Sequence, residues 1–258
     1  MLGPMVETLT KVRVVPLHGT PQIQAADRLL RRVWSTQDGE DPPVALDIMC
    51  ALAHTGGYVA GAFLGEELVG AAAGFLAAGE SLHSHVAGVA PEVQGRGVGR
   101  AIKEHQRRWA AERGLRSISW TFDPLVRRNA YFNLSRLGAR AERYLTDFYG
   151  PMTDGINDGD VSDRLFAEWP VDGTRAESSD TSEARVILDT SGRVTGPGGS
   201  AVLKCATPAD VERMRRQEPS AARDWRAAQR EALGGALAEG YRITGFTPDG
   251  WYVLERAA

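Results

Sequence analysis

Apolar residues recur along the first two thirds of the chain with two different periods, one helical and one alternating. Ile23, Ala26, Leu29, Leu30 and Val33 form a stripe at helical spacing behind Thr20-Pro21, which reads as a cap and a first-turn proline. Val12 to Val15 reads as an opening strand, and a second short helix is predicted over Pro43 to His54. Tyr58 to Phe63 and Glu67 to Leu76 are strand-like runs on either side of Leu64-Gly65-Glu66, a hairpin signal. Leu82 to Val89 predicts another strand. From residue 98, Val98, Ala101, Ile102, His105 and Trp109 take one helical face. Arg100, Lys103, Glu104, Arg107, Arg108 and Glu112 take the other, and Gly114 is placed to stop the helix. Ser117 to Phe122 alternates as a half-buried strand does, with Ile118, Trp120 and Phe122 on one side. A helix from about Asn129 to Leu137, ending at Gly138, and a strand over Ala141 to Tyr149 follow.

Beyond Trp169 the pattern changes. Asp172 to Glu183 is rich in Ser, Thr, Asp and Glu and reads as a linker. Strands are predicted over Arg185 to Leu188 and Ala201 to Lys204, and helices over Pro208 to Arg215 and Ala221 to Glu239, the latter stopped by Gly240. Tyr241 to Phe246 and Trp251 to Leu254 form a hairpin around Pro248-Asp249-Gly250. The expected division is therefore a domain at 1–170, a linker at 171–183 and a small α+β appendage at 184–258.

The strand at 82–89 leads into Pro91-Glu92-Val93-Gln94-Gly95-Arg96-Gly97-Val98-Gly99-Arg100. Glycine lets the backbone approach a ligand closely, and a helix starting there aims unpaired N–H groups and its positive dipole end at the turn. With Arg96 and Arg100 this is an anion cradle of the kind that suits a pyrophosphate. The Gly-Lys-Ser/Thr of a P-loop is missing, and the spacing Gly-x-Gly-x-Gly is not the dinucleotide fingerprint. The run fits Gln/Arg-x-x-Gly-x-Gly/Ala, with Gln94, Gly97 and Gly99 in the specified places. It resembles the coenzyme A loop of the GNAT N-acyltransferase superfamily, and the order of elements over roughly residues 10 to 170 is similar to that fold. The resemblance implies an α+β fold: a mixed, mostly antiparallel central sheet flanked by helices, here with the small α+β appendage.

The resemblance further implies that Gln94, Gly95, Arg96, Gly97, Val98, Gly99 and Arg100 bind acetyl-CoA or another acyl-CoA as co-substrate. Main-chain amides near Gly88 and Val89 would polarise the thioester. Several GNAT members carry a glutamate base eleven residues before the Gln/Arg of the loop; His83 occupies that offset, and His85 shares its strand face. Many members place a tyrosine acid four residues before the glycine closing the later helix. That position is Leu134 here, so the chain departs from the pattern, and Tyr131 is the nearby alternative. Asn129 and Asn133, one turn apart, are expected to bind coenzyme A or to cap structure. The expected activity is transfer of an acyl group, acetyl first and succinyl as the alternative, to the amine of a small molecule or amino acid. Arg127 and Arg128 are available for a succinyl carboxylate. A non-catalytic acyl-CoA-binding module is the competing reading. The appendage, with Trp225, Tyr241, Trp251 and Tyr252 in need of cover, is expected to pack on the core or across a homodimer and to help enclose the acceptor side.

Composition narrows this little. With 43% hydrophobic and 24% charged residues the chain is ordinary for a globular protein, and a net charge of −3 gives no reason to expect nucleic acid. No run of about 18 apolar residues suggests a membrane span, and the first residues lack a secretion signal, so a cytoplasmic location is expected. Cys50 and Cys205 are too few for a disulfide framework or metal site. Asp154-Gly155-Ile156-Asn157-Asp158-Gly159-Asp160 fails the calcium-loop spacing because Ile156 stands at a ligand position, so a solvated acidic turn and no metal are expected.

Overall fold

The computed structural model describes residues 11–37, 39–150, 160–174 and 183–256. It is an α+β fold with a mostly antiparallel sheet, helices packed against it, and an additional C-terminal sheet. The chain divides into two compact units, Met1–Leu76 with Ser84–Trp109, and Ala77–His83 with Ala110–Ala258.

In the first unit, β1 (Arg13–Pro16) runs antiparallel to β2 (Tyr58–Leu64), and β2 antiparallel to β3 (Glu67–Ala77). The β2–β3 turn needs Gly65, whose φ is +60°. β4 (Ser81–Val89) lies next to β3. Helix α1 (Thr20–Trp34) buries Ile23, Ala26, Leu29 and Leu30, the predicted stripe less Val33, and Leu30 alone contributes on the order of 2 kcal/mol. Its cap is Gly19 rather than Thr20, with Pro21 in the first turn where no N–H is required. α2 is Leu46–His54 and α3 is Val98–Ala111. Two glycines set how closely the helices sit. A Cβ on Gly88 would lie 2.7 Å from Trp34 and 3.0 Å from Leu30 of α1, and one on Gly70 would lie 3.0 Å from Ile102 and 3.1 Å from Val98 of α3.

In the second unit, the start of β4 pairs in parallel with β5 (Ser117–Phe122), from Ser81 opposite Ser117 to His83 opposite Ser119. β5 is antiparallel to β7 (Arg164–Pro170), and β7 to β6 (Arg140–Leu145). β7 has no counterpart among the predicted elements, although Leu165, Ala167 and Trp169 alternate inward. β5 departs from its half-buried expectation, because Ser117 and Ser119 are buried as well. After β5 come α4 (Arg127–Ala130) and a π turn over Tyr131–Leu137, closed by Gly138 at φ +79°. The C-terminal sheet has the order β10-β11-β9-β8, formed by Tyr241–Phe246, Trp251–Arg256, Val202–Ala206 and Arg185–Leu188. Its helices are α5 (Val211–Gln217), capped by Asp210, and α6 (Pro219–Gln229), which continues through a π turn at Arg230–Gly234 into α7 (Gly235–Ala238).

The C-terminal elements fall in one compact unit with β5, β6 and β7. Residues 154–159 of the acidic run and 175–182 of the expected linker lie outside the described residues. Asp160, at the end of that run, is buried and ion-paired rather than solvated. Among the described residues no helix is long and apolar enough to cross a membrane, no acidic, His or Cys group could hold a metal, and Cys50 and Cys205 are not disulfide-bonded.

Candidate active site

The glycine turn is built from the end of β4 outward. Ala90 N–H donates to the Val69 carbonyl at 2.9 Å and pins the strand end. Pro91–Val93 form a 3₁₀ turn, and Val93, buried at its end, accepts from Arg96 N–H at 3.3 Å. Gly95 and Gly97 then take φ of +78° and +83°, which L residues with side chains adopt at a cost. A Cβ at either would meet nothing within 4 Å, so the backbone conformation, not crowding by the chain, requires glycine there. The space beside both is open. Ala101 N–H bonds to the Gly97 carbonyl at 3.0 Å and closes the first turn of α3. The N–H groups of Val98, Gly99 and Arg100 belong to that first turn and have no intrahelical acceptor. Gly99 keeps ordinary helical backbone, Val98 is the buried anchor, and Gln94, Arg96 and Arg100 are exposed. Glycine backbone in open space, a helix N-terminus and two exposed guanidinium groups fit the pyrophosphate of a coenzyme A.

Gly88, expected to serve close backbone approach to a thioester, has a second reason to be glycine: α1 leaves no room for a Cβ. Val89, beside it, is half-buried.

Strand alternation buries Leu82, Ser84, Val86 and Gly88 and leaves His83, His85 and Ala87 on the more open face. His83 Nδ1 lies 3.1 Å from Ser119 Oγ. His85 stacks obliquely against Phe75 at a ring separation of 5.9 Å. Loss of solvation lowers the pKa of His85 below the usual imidazole value, and a hydrogen bond to the Pro43 backbone works the other way. A base must start neutral, and this shift favours the neutral form of His85.

Tyr131 is half-buried at the start of the π turn, Asn129 is half-buried in α4, and Asn133 is buried, its carbonyl accepting from Ala139 N–H at 2.9 Å. Leu134, at the position counted back from Gly138, is a buried leucine. The predicted helix here is a π turn, with i→i+5 in place of i→i+4 spacing. Arg127 and Arg128 are engaged elsewhere: Arg127 bonds to Thr207 and Arg128 to Glu212.

One group escaped the sequence pattern. Lys103, placed by the sequence on the charged face of α3, is buried and donates to Ser84 Oγ at 3.0 Å, which also accepts from Gln106 Nε2 at 2.9 Å. Burial lowers the Lys103 pKa to about 7. The only trace in the sequence is that Lys103 and Gln106, three apart, border the apolar stripe of Ile102 and Trp109.

The protein-family model of the acetyltransferase (GNAT) family matches residues 23–136. No curated protein sequence matches the chain. Several solved structures share its fold. The ribosomal-protein-S18-alanine N-acetyltransferase of Escherichia coli is 17% identical with a TM-score of 0.50, covering 62% of this chain and 94% of that one. yncA of Salmonella typhimurium, solved with its cofactor acetyl-CoA, is 15% identical with a TM-score of 0.51, covering 66% and 99%. An N-acetyltransferase of Staphylococcus aureus is 10% identical with a TM-score of 0.51, covering 62% and 99%. Each of the three leaves about a third of this chain uncovered. The glycine turn falls inside residues 23–136, the stretch that matches the acetyltransferase (GNAT) family model, and the fold around it is the one these structures share.

Proposed function

We propose that the protein is an acyl-CoA-dependent N-acyltransferase that transfers an acetyl group to the amine of a small molecule or amino acid. The observation that carries this is the turn at Gly95–Arg100: two left-handed glycines with open space beside them, leading directly into the N-terminus of α3. Gln94, Gly95, Arg96, Gly97, Val98, Gly99 and Arg100 would hold the pyrophosphate, the first-turn amides supplying directed donors and the arginines charge. Main-chain amides near Gly88 and Val89 would face the thioester carbonyl, and Asn129 and Asn133 would serve the cofactor from α4 and the π turn. The bound coenzyme supplies an acyl group activated as a thioester. The yncA structure, which contains acetyl-CoA, supports acetyl as the group transferred.

The chain's own residues manage protons. The acceptor must lose one before its nitrogen can form the new C–N bond, and His85 or His83 takes it; the C–S bond breaks and the departing thiolate gains a proton, from Tyr131 or from solvent. Succinyl transfer is disfavoured by the engagement of Arg127 and Arg128 with Thr207 and Glu212. The site needs no metal for this chemistry, and neither a nucleic acid nor a membrane is expected as a partner.

The test is release of free thiol from acetyl-, propionyl- and succinyl-CoA by purified protein against pooled amines and amino acids. Turnover with acetyl-CoA supports the proposal; coenzyme A binding without turnover on any acceptor favours a binding module. Replacement of His83 and of His85 by alanine should lower kcat/KM at neutral pH by roughly a hundredfold for whichever is the base. The loss should shrink at high pH, where the amine deprotonates unaided. Full activity in both variants would make the histidines structural.

A further inference from the structure

The segment from Asp123 to Ser135 is held by the C-terminal elements at five places. Asp123 directly follows β5, and its Oδ1 accepts from Leu125 N–H at 2.9 Å, which shapes the turn into α4. Both Nη groups of Arg226 in α6 donate to the same carboxylate at 2.8 Å, and Arg215 Nη2 in α5 does so too. The two arginines share a second acceptor, Asp160 Oδ2, at 3.2 Å from Arg215 Nε and 3.0 Å from Arg226 Nη2. These four side chains are at most 8% exposed. Next, the Pro124 carbonyl accepts from the Tyr252 hydroxyl at 2.8 Å. Arg127 donates to Thr207 Oγ1 at 3.1 Å and to its carbonyl at 2.6 Å, and lies so close over Gly250 that a Cβ there would collide with its guanidinium. Arg128 Nη2 donates to Glu212 Oε1 at 2.7 Å, and Ser135 Oγ to the Phe246 carbonyl.

Buried ion pairs add little net stability compared with apolar packing, because desolvation offsets most of the attraction. Their directional forks do fix a single geometry. Two buried arginines aimed at one turn, with five further hydrogen bonds along the next dozen residues, are therefore better suited to setting position than to adding stability. We infer that the C-terminal sheet and helices are a brace that sets the conformation of residues 123–137, and so of Asn129, Tyr131 and Asn133, for acyl transfer. Thr207, Glu212, Arg215, Arg226 and Tyr252 are positioning residues in this account. The consequence for transfer rests on the proposed function; the brace itself does not. It gives the C-terminal region a role on the α4 segment, in place of the acceptor-side enclosure expected from the sequence.

The test uses the full chain with Thr207→Val and Tyr252→Phe, each removing a hydroxyl with little change of shape. Amide hydrogen exchange over residues 125–137 is read together with kcat and the KM for acetyl-CoA. Exchange in that segment should rise roughly five- to tenfold, the equivalent of one net hydrogen bond. kcat/KM for acetyl-CoA should fall several-fold alongside. Glu212→Arg should act in the same direction, and combining it with Arg128→Glu, which restores the pair with charges exchanged, should recover the loss. Ile23→Val, buried in α1 and outside the brace, serves as a control with a comparable drop in Tm. The brace is overturned by unchanged exchange over 125–137 in all variants, or by an equal rise in the control. Loosened exchange with native kinetics overturns its role in transfer. A wild-type chain that neither binds coenzyme A nor turns over defeats the functional reading, while the exchange data still decide the brace.

Discussion

The glycine turn at Gly95–Arg100 and the buried cluster of Asp123, Asp160, Arg215 and Arg226 use charge in opposite ways. In the turn, Arg96 and Arg100 are exposed beside open space, and everything that matters is written within a few consecutive residues. In the cluster, two guanidinium groups are shut away against two carboxylates, and Arg226 stands 103 positions from Asp123. The first is arranged for a partner outside the chain. The second is already satisfied from within. An arginine therefore says little until its surroundings are known: Arg127 and Arg128, candidates for a substrate carboxylate by composition, are satisfied from within like the cluster.

The contrast breaks most sharply if the two regions are perturbed separately. Arg226→Met should destabilise the chain by about 3–5 kcal/mol in urea unfolding, because it leaves two buried carboxylates with one guanidinium between them. Whatever stays folded should bind coenzyme A through the turn. A loss under about 1 kcal/mol would mean that the cluster is more solvated than its burial indicates.

Acid should reach the same region first. Burial pushes the Asp123 carboxyl up, yet Arg226, Arg215 and Arg164 hold it well below the ordinary carboxylate range. Burial likewise raises Asp163, but hydrogen bonds from Arg230, Asp147 N–H and the Tyr144 hydroxyl outweigh it. A depressed carboxylate pKa contributes stability that is complete above the unfolded value of about 4 and is lost as pH falls towards the folded value. Tm should decline steadily below pH of about 4, with the decline reduced in Arg226→Met.

Lys103 has the opposite sign. Its folded pKa of about 7 lies below the unfolded value, so the unfolded chain binds the extra proton. The cost of keeping this amine buried is complete below about pH 7 and disappears as pH rises towards about 10.4. Lys103→Met should therefore gain on the order of 1–3 kcal/mol at pH 6, with the gain shrinking towards pH 10. A pH-independent difference would show that the ammonium finds compensation inside the fold. The smallest effect is expected at the surface: Arg128→Ala, losing an exposed partner of Glu212, should cost about 0–1 kcal/mol in stability.

Much of the first unit was legible in the sequence because its signals are local. The stripe of α1, the β2–β3 hairpin and the strand–turn–helix around Gly95 each depend on spacing within about a dozen residues. The C-terminal strands and helices were likewise placed to within a few residues. Three things were not legible, for separate reasons. β7 alternates, but it follows directly on an acidic run that resembles loop. The π turn at Tyr131–Leu137 carries no composition cue, so the sequence reads as an ordinary helix there. Lys103 and the Asp–Arg cluster are polar residues whose burial depends on partners 19 to 103 positions away, which no periodicity encodes.

The central claim is that the turn at Gly95–Arg100 binds the pyrophosphate of a coenzyme A through its backbone. Calorimetric titration of acetyl-CoA into the wild-type chain, Gly99→Ala and Gly97→Val tests it most directly. Gly99 keeps helical backbone, so alanine there should cost little, whereas valine at the left-handed Gly97 must reshape the turn at about 1–3 kcal/mol of strain. The account predicts binding by the wild type, comparable binding by Gly99→Ala, and a loss of more than about tenfold in a Gly97→Val protein with native circular dichroism. Equal affinity in a folded Gly97→Val protein, or no binding by the wild type, would contradict it.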